Sequence, residues 1–73
     1  PNPATDRVVI QLPKAIGVKL VMIYQADGKV VYTKLTSQEE VEVNTQNFVA
    51  GISYIMVTTE DGKNFAGKLI KKL

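Results

Sequence analysis

The chain contains neither cysteine nor histidine among its 73 residues. Without cysteine it has no disulfide framework, no thiolate nucleophile and no soft metal ligand. Without histidine it lacks the side chain most used for proton transfer near neutral pH and the commonest nitrogen ligand of zinc. These absences predict that the chain is not an enzyme, binds no metal or cofactor and has no small-molecule substrate.

The remaining reactive side chains lack the partners that catalysis requires. Ser37 and Ser53 are the only serines, and no histidine or motif-placed lysine is available to activate either hydroxyl. Glu39 and Glu40 are adjacent, and neighbours on a strand point to opposite faces, so they cannot flank one substrate atom. We interpret these carboxylates as part of a solvated face.

The chain also has little excess charge and no long apolar run. Lys+Arg number 9 and Asp+Glu 7, for a net charge of +2, a balance too even to predict nucleic-acid binding. The longest apolar stretch, Val18 to Tyr24, is interrupted by Lys19 and is far shorter than the roughly 20 residues of a transmembrane helix. The first six residues have no signal-peptide character. Any export information is expected upstream, in a longer parent, or in the fold itself.

Short runs of β-branched and aromatic residues recur about every ten residues, separated by Gly, Pro, Asn and Asp. This rhythm predicts a single all-β domain, an open antiparallel Greek-key sandwich, with a small barrel as the alternative. A seventh strand could arise if one of the longer runs were split. The six predicted strands are Arg7 to Leu12, Val18 to Gln25, Lys29 to Leu35, Glu39 to Thr45, Ile52 to Thr59 and Asn64 to about Ile70.

Two of these segments carry a clear facing pattern. The second run is apolar on both faces, which predicts a central strand. In the fourth, Val41 and Val43 alternate with acidic and amide residues, which predicts a strand buried on one side only. Phe48 precedes Gly51 in a corner expected to cross between sheets with its ring in the core.

Asp-Gly pairs stand between two pairs of runs, at Asp27-Gly28 and at Asp61-Gly62. This dipeptide predicts a β-hairpin, and we expect a type I′ turn with positive φ at both central residues. The strands that flank each pair should therefore be antiparallel neighbours.

The chain ends in a basic segment in which lysines surround Leu69 and Ile70. Physical reasoning alone favours an edge strand whose lysines discourage edge-to-edge pairing. The alternative is a docking motif.

Four short motifs follow one another along nearly the whole chain. They are Pro1-Asn2-Pro3-Ala4 before the first strand, Tyr24 to Val31 in the first hairpin, Gly51 opening a strand that ends in Asp61-Gly62-Lys63, and a closing Lys68 to Lys72. In order and spacing the set resembles the C-terminal sorting domain (type A) of cargo proteins of the Bacteroidetes type IX secretion system.

The resemblance implies an immunoglobulin-like sandwich, usually of seven strands, at the C-terminus of a larger exported protein. It implies a signal read by the outer-membrane translocon and its shuttle proteins, with the cargo passing through the periplasm to the cell surface or the medium. It also implies a sortase-like cysteine peptidase that often removes the domain by cutting upstream of it. An open strand edge would also allow the domain to form a weak homodimer.

The matched motifs supply the candidate residues for translocon recognition. An alternative function, from the strand pattern alone, is a structural or adhesive module of the fibronectin type III or carbohydrate-binding kind.

The chain departs from the family pattern in the fifth predicted strand. Family members usually have an aromatic residue where this chain has Ser53, and here the tyrosine, Tyr54, comes one position later. Because side chains alternate along a strand, Tyr54 is expected on the opposite face unless a bulge intervenes. The candidate recognition residues are Lys68, Leu69, Ile70, Lys71, Lys72, Gly51, Asp27, Gly28 and Lys29.

Overall fold

A computed structural model describes residues 7–14 and 17–71, and all the regular structure in these ranges is β-strand. The strands lie close to the predicted runs, with boundaries that differ by at most one residue. No helix in the described ranges is long and apolar enough to span a bilayer. The six strands are β1 (Arg7–Gln11), β2 (Lys19–Gln25), β3 (Val30–Thr36), β4 (Glu40–Asn44), β5 (Gly51–Thr59) and β6 (Asn64–Lys71).

The strands form two antiparallel sheets. β1 pairs with β4 in a two-stranded sheet, and the second sheet has the order β3-β2-β5-β6. This order corresponds to strands B and E on one side of an immunoglobulin fold and C′, C, F and G on the other. The prediction of an all-β sandwich is confirmed, with six strands in the described part of the chain. β2 is a central strand, as its two apolar faces predicted.

The core lies between the two sheets. β4 buries Val41 and Val43 and exposes Glu40, Glu42 and Asn44, as its alternation predicted. β2 buries Val21 and Ile23 against them because a strand sends every second side chain to the same face. Three further side chains complete the buried apolar cluster: Leu12, Phe48 and Val57.

Both Asp-Gly hairpins form, but the predicted turn type is wrong. In the first, Gly28 has a φ of +89° and no non-glycine residue of the described chain has a positive φ. The Gly28 amide donates to the Gln25 carbonyl at 2.8 Å, and the Gln25 amide donates to the Lys29 carbonyl at 2.9 Å. This is a three-residue loop, a type I turn followed by a left-handed glycine. Asp27 contributes through its side chain, which accepts the Lys29 amide at 2.9 Å.

The segment after β4 is a corner, as predicted. The Phe48 amide donates to the Thr45 carbonyl at 3.0 Å, which turns the chain from one sheet toward the other. The Phe48 ring is buried in the core, and Gly51 then opens β5 with a φ of +117°. The corner places three backbone carbonyls, those of Thr45, Gln46 and Phe48, beside the end of the larger sheet.

Candidate functional site

The register of the larger sheet brings most of the candidate recognition residues to one end. Ser53 lies opposite Gln25 on one side and Leu69 on the other, and Gly51 lies opposite Lys71. The turn at 26–29, the corner before β5 and the last residues of β6 are therefore neighbours. We call this region the Gly51 end. The hairpin of Asp61-Gly62-Lys63 lies at the opposite end of the sheet.

A shallow apolar depression of about 280 Å³ opens at the Gly51 end. One wall of the depression is formed by the first hairpin and the other by the corner and the start of β5. Val49 is 66% exposed at its rim. The lining residues are Gln25, Ala26, Asp27, Val49, Ala50 and Ile52.

β6 is an edge strand, which confirms the structural part of the prediction for the tail. It pairs with β5 from Asn64 to Lys71, and no other strand of the described chain lies along its second edge. Its side chains alternate. Lys68 and Ile70 are exposed, while Leu69 is partly buried against the core. Lys72 lies outside the described residues.

Lys71 does not extend into solvent as Lys68 does. Its ammonium donates hydrogen bonds to the carbonyl oxygens of Thr45 at 2.7 Å, Gln46 at 3.0 Å and Phe48 at 2.9 Å. An ammonium group has three N–H donors, so these bonds satisfy all of them. These hydrogen bonds join the C-terminal end of β6 to the corner that follows β4. This contact was missed from the sequence because its acceptors are backbone atoms 23–26 residues away.

Lys19 makes the corresponding contact at the other end of β4. It is 1% exposed, and its Nζ donates to the Gln38 carbonyl at 3.0 Å, just before β4 begins. Lys19 and Lys71 therefore bracket β4, each joining the larger sheet to a backbone carbonyl of the segment next to that strand. Sequence reasoning treated Lys19 only as an interruption of an apolar run.

The two hairpin aspartates differ in their hydrogen bonds. Asp27 and Lys29 are exposed in the first hairpin, where the Asp27 carboxylate accepts the Lys29 amide at 2.9 Å. In the second, a hydrogen bond from the Thr59 hydroxyl lowers the pKa of the Asp61 carboxyl, aided by the amide and the charge of Lys63. Partial burial raises the pKa of the Tyr32 phenol. Neither shift marks a reactive centre.

Tyr54 lies on the outer face of the larger sheet, as the alternation predicted. β5 keeps a regular register with both neighbours, so no bulge compensates the displacement, and Ser53 is 2% exposed on the inner side. Tyr54 stands opposite Tyr24, with ring centroids 6.0 Å apart and planes inclined at 31°. This tilted aromatic pair is a second feature that sequence reasoning did not identify.

Comparison with known proteins gives the family of this domain. The family profile of the secretion system C-terminal sorting domain matches residues 1–72. The chain belongs to this family. A relative, the ulvan lyase NLR42 of Nonlabens ulvanivorans, is 35% identical over 71 residues, which cover 96% of this chain and 13% of that protein. No solved structure matches the sorting domain.

Membership in the family confirms several predictions. The chain is a sorting signal of the type IX secretion system and not a catalytic unit, and its role is export across the outer membrane to the cell surface or the medium. The family match favours this function over the adhesive module. In the described ranges, no group of acidic side chains is arranged to hold a metal ion. The sorting domain spans about 13% of the length of the curated relative it matches.

Proposed function

We propose that this sorting domain is the single C-terminal unit of a larger exported protein, and that the translocon recognises the folded Gly51 end together with β6. The observation that carries the proposal is the convergence of the matched motifs on that end of the sheet. Motifs separated by more than 40 positions in the sequence, the turn at 26–29 and Lys71, are brought there by the register of β2, β5 and β6.

The free edge of β6 supplies the binding mode. An exposed edge strand presents unpaired amide and carbonyl groups, to which an extended segment of a partner adds as a further strand. In such complexes the main-chain hydrogen bonds give affinity and alternate side chains give specificity. On β6 those side chains include the exposed Lys68 and Ile70.

Positive charge at the site fits an acidic groove on the translocon. Lys29 and Lys68 are exposed and have their ammonium groups in solvent, so they can steer an acidic partner. Lys71 acts differently, because its donors are directed at the corner carbonyls. We assign it the role of a positioning residue that holds the end of β6 in place.

Deletion of residues 69–73 from the full-length parent tests the role of the tail. We expect the cargo to accumulate in the periplasm, because the deletion removes both the end of the edge strand and the Lys71 contact. Protease resistance of the retained cargo would show that the passenger itself is still folded. Normal amounts of cargo at the cell surface would refute the assignment of the tail as the signal.

The two Asp-Gly-Lys hairpins allow a matched test of whether the turn at 26–29 is recognised. Lys29→Glu and Lys63→Glu introduce the same charge change in the same Asp-Gly-Lys sequence at opposite ends of the sheet. We expect Lys29→Glu to reduce export and Lys63→Glu to leave it near wild type. Equal effects would show that net charge, and not the Gly51 end, determines export.

The further partners proposed are the shuttle proteins of the system and a sortase-like cysteine peptidase that cuts upstream of the domain. Mass spectrometry of surface-attached cargo and of the culture medium tests the second. We expect mature cargo without the domain and a separate fragment that contains it. Cargo that retains the domain throughout would refute cleavage for this protein.

A further inference from the structure

The outer face of the larger sheet is apolar although the sandwich packs on the opposite side. Strand alternation that turns Val21, Ile23 and Val57 into the core turns their neighbours outward. Ile70 is 65% exposed, Leu35 67% and Ile52 44%. The β1–β4 sheet lies on the inner side, so no described strand covers this face. We name it the outer face, and its apolar side chains are Leu20, Met22, Tyr24, Val30, Leu35, Ile52, Tyr54, Met56, Ala66 and Ile70.

Lys68 is the one charged side chain on the outer face among the described residues. It stands opposite Tyr54, which in turn stands opposite Tyr24, so the three form a row across the sheet. No ion pair joins Lys68 to a described carboxylate, and the face carries no Asp or Glu. An apolar surface with a single unpaired cation is complementary to an apolar surface that carries a carboxylate.

The size of the outer face argues against a second copy as its occupant. Four strands of seven to nine residues, about 4.8 Å apart, give a face of roughly 500 Å². A stable interface buries about 800 Å² on each partner, so the outer face of each copy alone provides roughly 60% of that area. A partner that also pairs with the adjacent free edge of β6 would bury more.

A membrane surface is also disfavoured as the occupant. Anionic membranes bind segments with several basic residues, each contributing modestly. The described part of the outer face has one lysine, and its apolar side chains include two tyrosines, which are typical of protein interfaces.

We propose that the outer face docks onto a protein of the secretion system through an apolar patch with a carboxylate opposite Lys68. This inference rests on the proposed function, since it assigns a surface to the same recognition event. The partner reaches the face across the edge of β6, so strand addition and face docking are parts of one contact. Tyr54 and Ile70 form the apolar half of that contact.

The test uses charge reversal at matched positions in the full-length protein. Lys68→Glu changes the outer face, whereas Lys34→Glu makes the same change at an exposed lysine that lies opposite Val21 and therefore faces the other side of the sheet. We expect Lys68→Glu to lower export about tenfold or more, and Lys34→Glu to have little effect. Both lysines are exposed, so thermal unfolding of the 73-residue chain should give the same Tm for both variants.

Photo-crosslinking identifies the occupant. A crosslinking residue at Ile70 should join the cargo to a component of the secretion system, while one at Lys34 should not. Reversal of an acidic residue to lysine in that component should restore export of the Lys68→Glu variant. Crosslinks only to a second copy of the chain would overturn the inference, as would co-sedimentation of the chain with anionic lipid vesicles that is lost in Lys68→Glu.

The outcomes separate this inference from the proposed function. If deletion of residues 69–73 blocks export and Lys68→Glu with Ile70→Thr does not, the sorting function stands and docking through the outer face is refuted. If the deletion has no effect, the proposed function itself fails.

Discussion

Replacing Lys71 with methionine should destabilise the domain more than the same replacement at any exposed tail lysine. The methionine keeps most of the apolar stem but removes the ammonium that binds the carbonyl oxygens of Thr45, Gln46 and Phe48 at 2.7–3.0 Å. The corner would then keep its local bonds, from the Phe48 amide to the Thr45 carbonyl and from the Gln46 amide to Asn44 Oδ1. The end of β6 would lose its hydrogen bonds to that corner.

The expected magnitude follows from these contacts. A buried hydrogen bond to a charged donor contributes about 1.5–3 kcal/mol net, and a neutral one about 1 kcal/mol. The three bonds share one ammonium on a side chain that is only partly buried, so water can replace part of their energy. We therefore expect a loss of about 2 kcal/mol, toward the lower part of the range for charged donors.

Such a loss is measurable in a domain of this size. One kcal/mol shifts the Tm of a 60–100-residue domain by about 4–8 °C, so we expect a decrease of about 8–16 °C in Lys71→Met. Urea unfolding followed by circular dichroism gives the free energy of unfolding directly. The matched control is Lys68→Met, whose lysine is exposed and should change the free energy by less than about 0.5 kcal/mol.

Two results would refute the reasoning. If Lys71→Met and Lys68→Met unfold within about 0.5 kcal/mol of each other, the Lys71 contact does not stabilise the sandwich. If Lys71→Met blocks export at a temperature where its domain is fully folded, Lys71 contacts the translocon directly and is not a positioning residue. We expect export of this variant to fail only where the domain begins to unfold.

Three further predictions concern the core and the second hairpin. Phe48→Ala should cost about 3 kcal/mol or more in urea unfolding, because a buried ring is lost between the sheets; a loss below about 1 kcal/mol would mean that the corner repacks. Gly62→Ala should cost about 1 kcal/mol or more because φ is +88°, whereas Gly67→Ala, where an added Cβ meets nothing within 4 Å, should cost less; equal Tm values would contradict this. The lowered pKa of Asp61 stabilises the fold above the ordinary carboxyl pKa of 3.8, and this contribution is lost as the pH falls below it. Asp61→Asn should therefore show a weaker fall in Tm between neutral and acidic pH, and an unchanged pH profile would count against the Thr59 hydrogen bond.

Local signals predicted the secondary structure because strands and turns depend on neighbouring residues. The alternation of Val41 and Val43 with polar residues marked β4 as half-buried, and the double apolar face of β2 marked it as central. The prediction of the turn type was wrong, and the reason is also local. The Asp27 side chain can stabilise a loop by accepting an amide, so an Asp-Gly pair does not require positive φ at the aspartate.

The candidate site was predicted only in part. The motif resemblance identified the tail and the turn at 26–29, and the sheet register then brought them to one end. It did not distinguish Lys71 from Lys68, because the two differ in which atoms of distant segments they approach and not in their own sequence surroundings. Nor did it show that Tyr24 and Tyr54 form a pair on the outer face.

The sequence by itself determined that this protein is a small β-domain without the side chains of ordinary acid–base or thiol catalysis, since composition and alternation with period two are properties of the chain alone. Only the tertiary structure decided which strands pair beyond the two hairpins, where Lys19 and Lys71 direct their ammonium groups, and which apolar face stays uncovered. Those features depend on contacts between residues more than 15 positions apart. Such contacts exist only after the sheets have formed and their register is set.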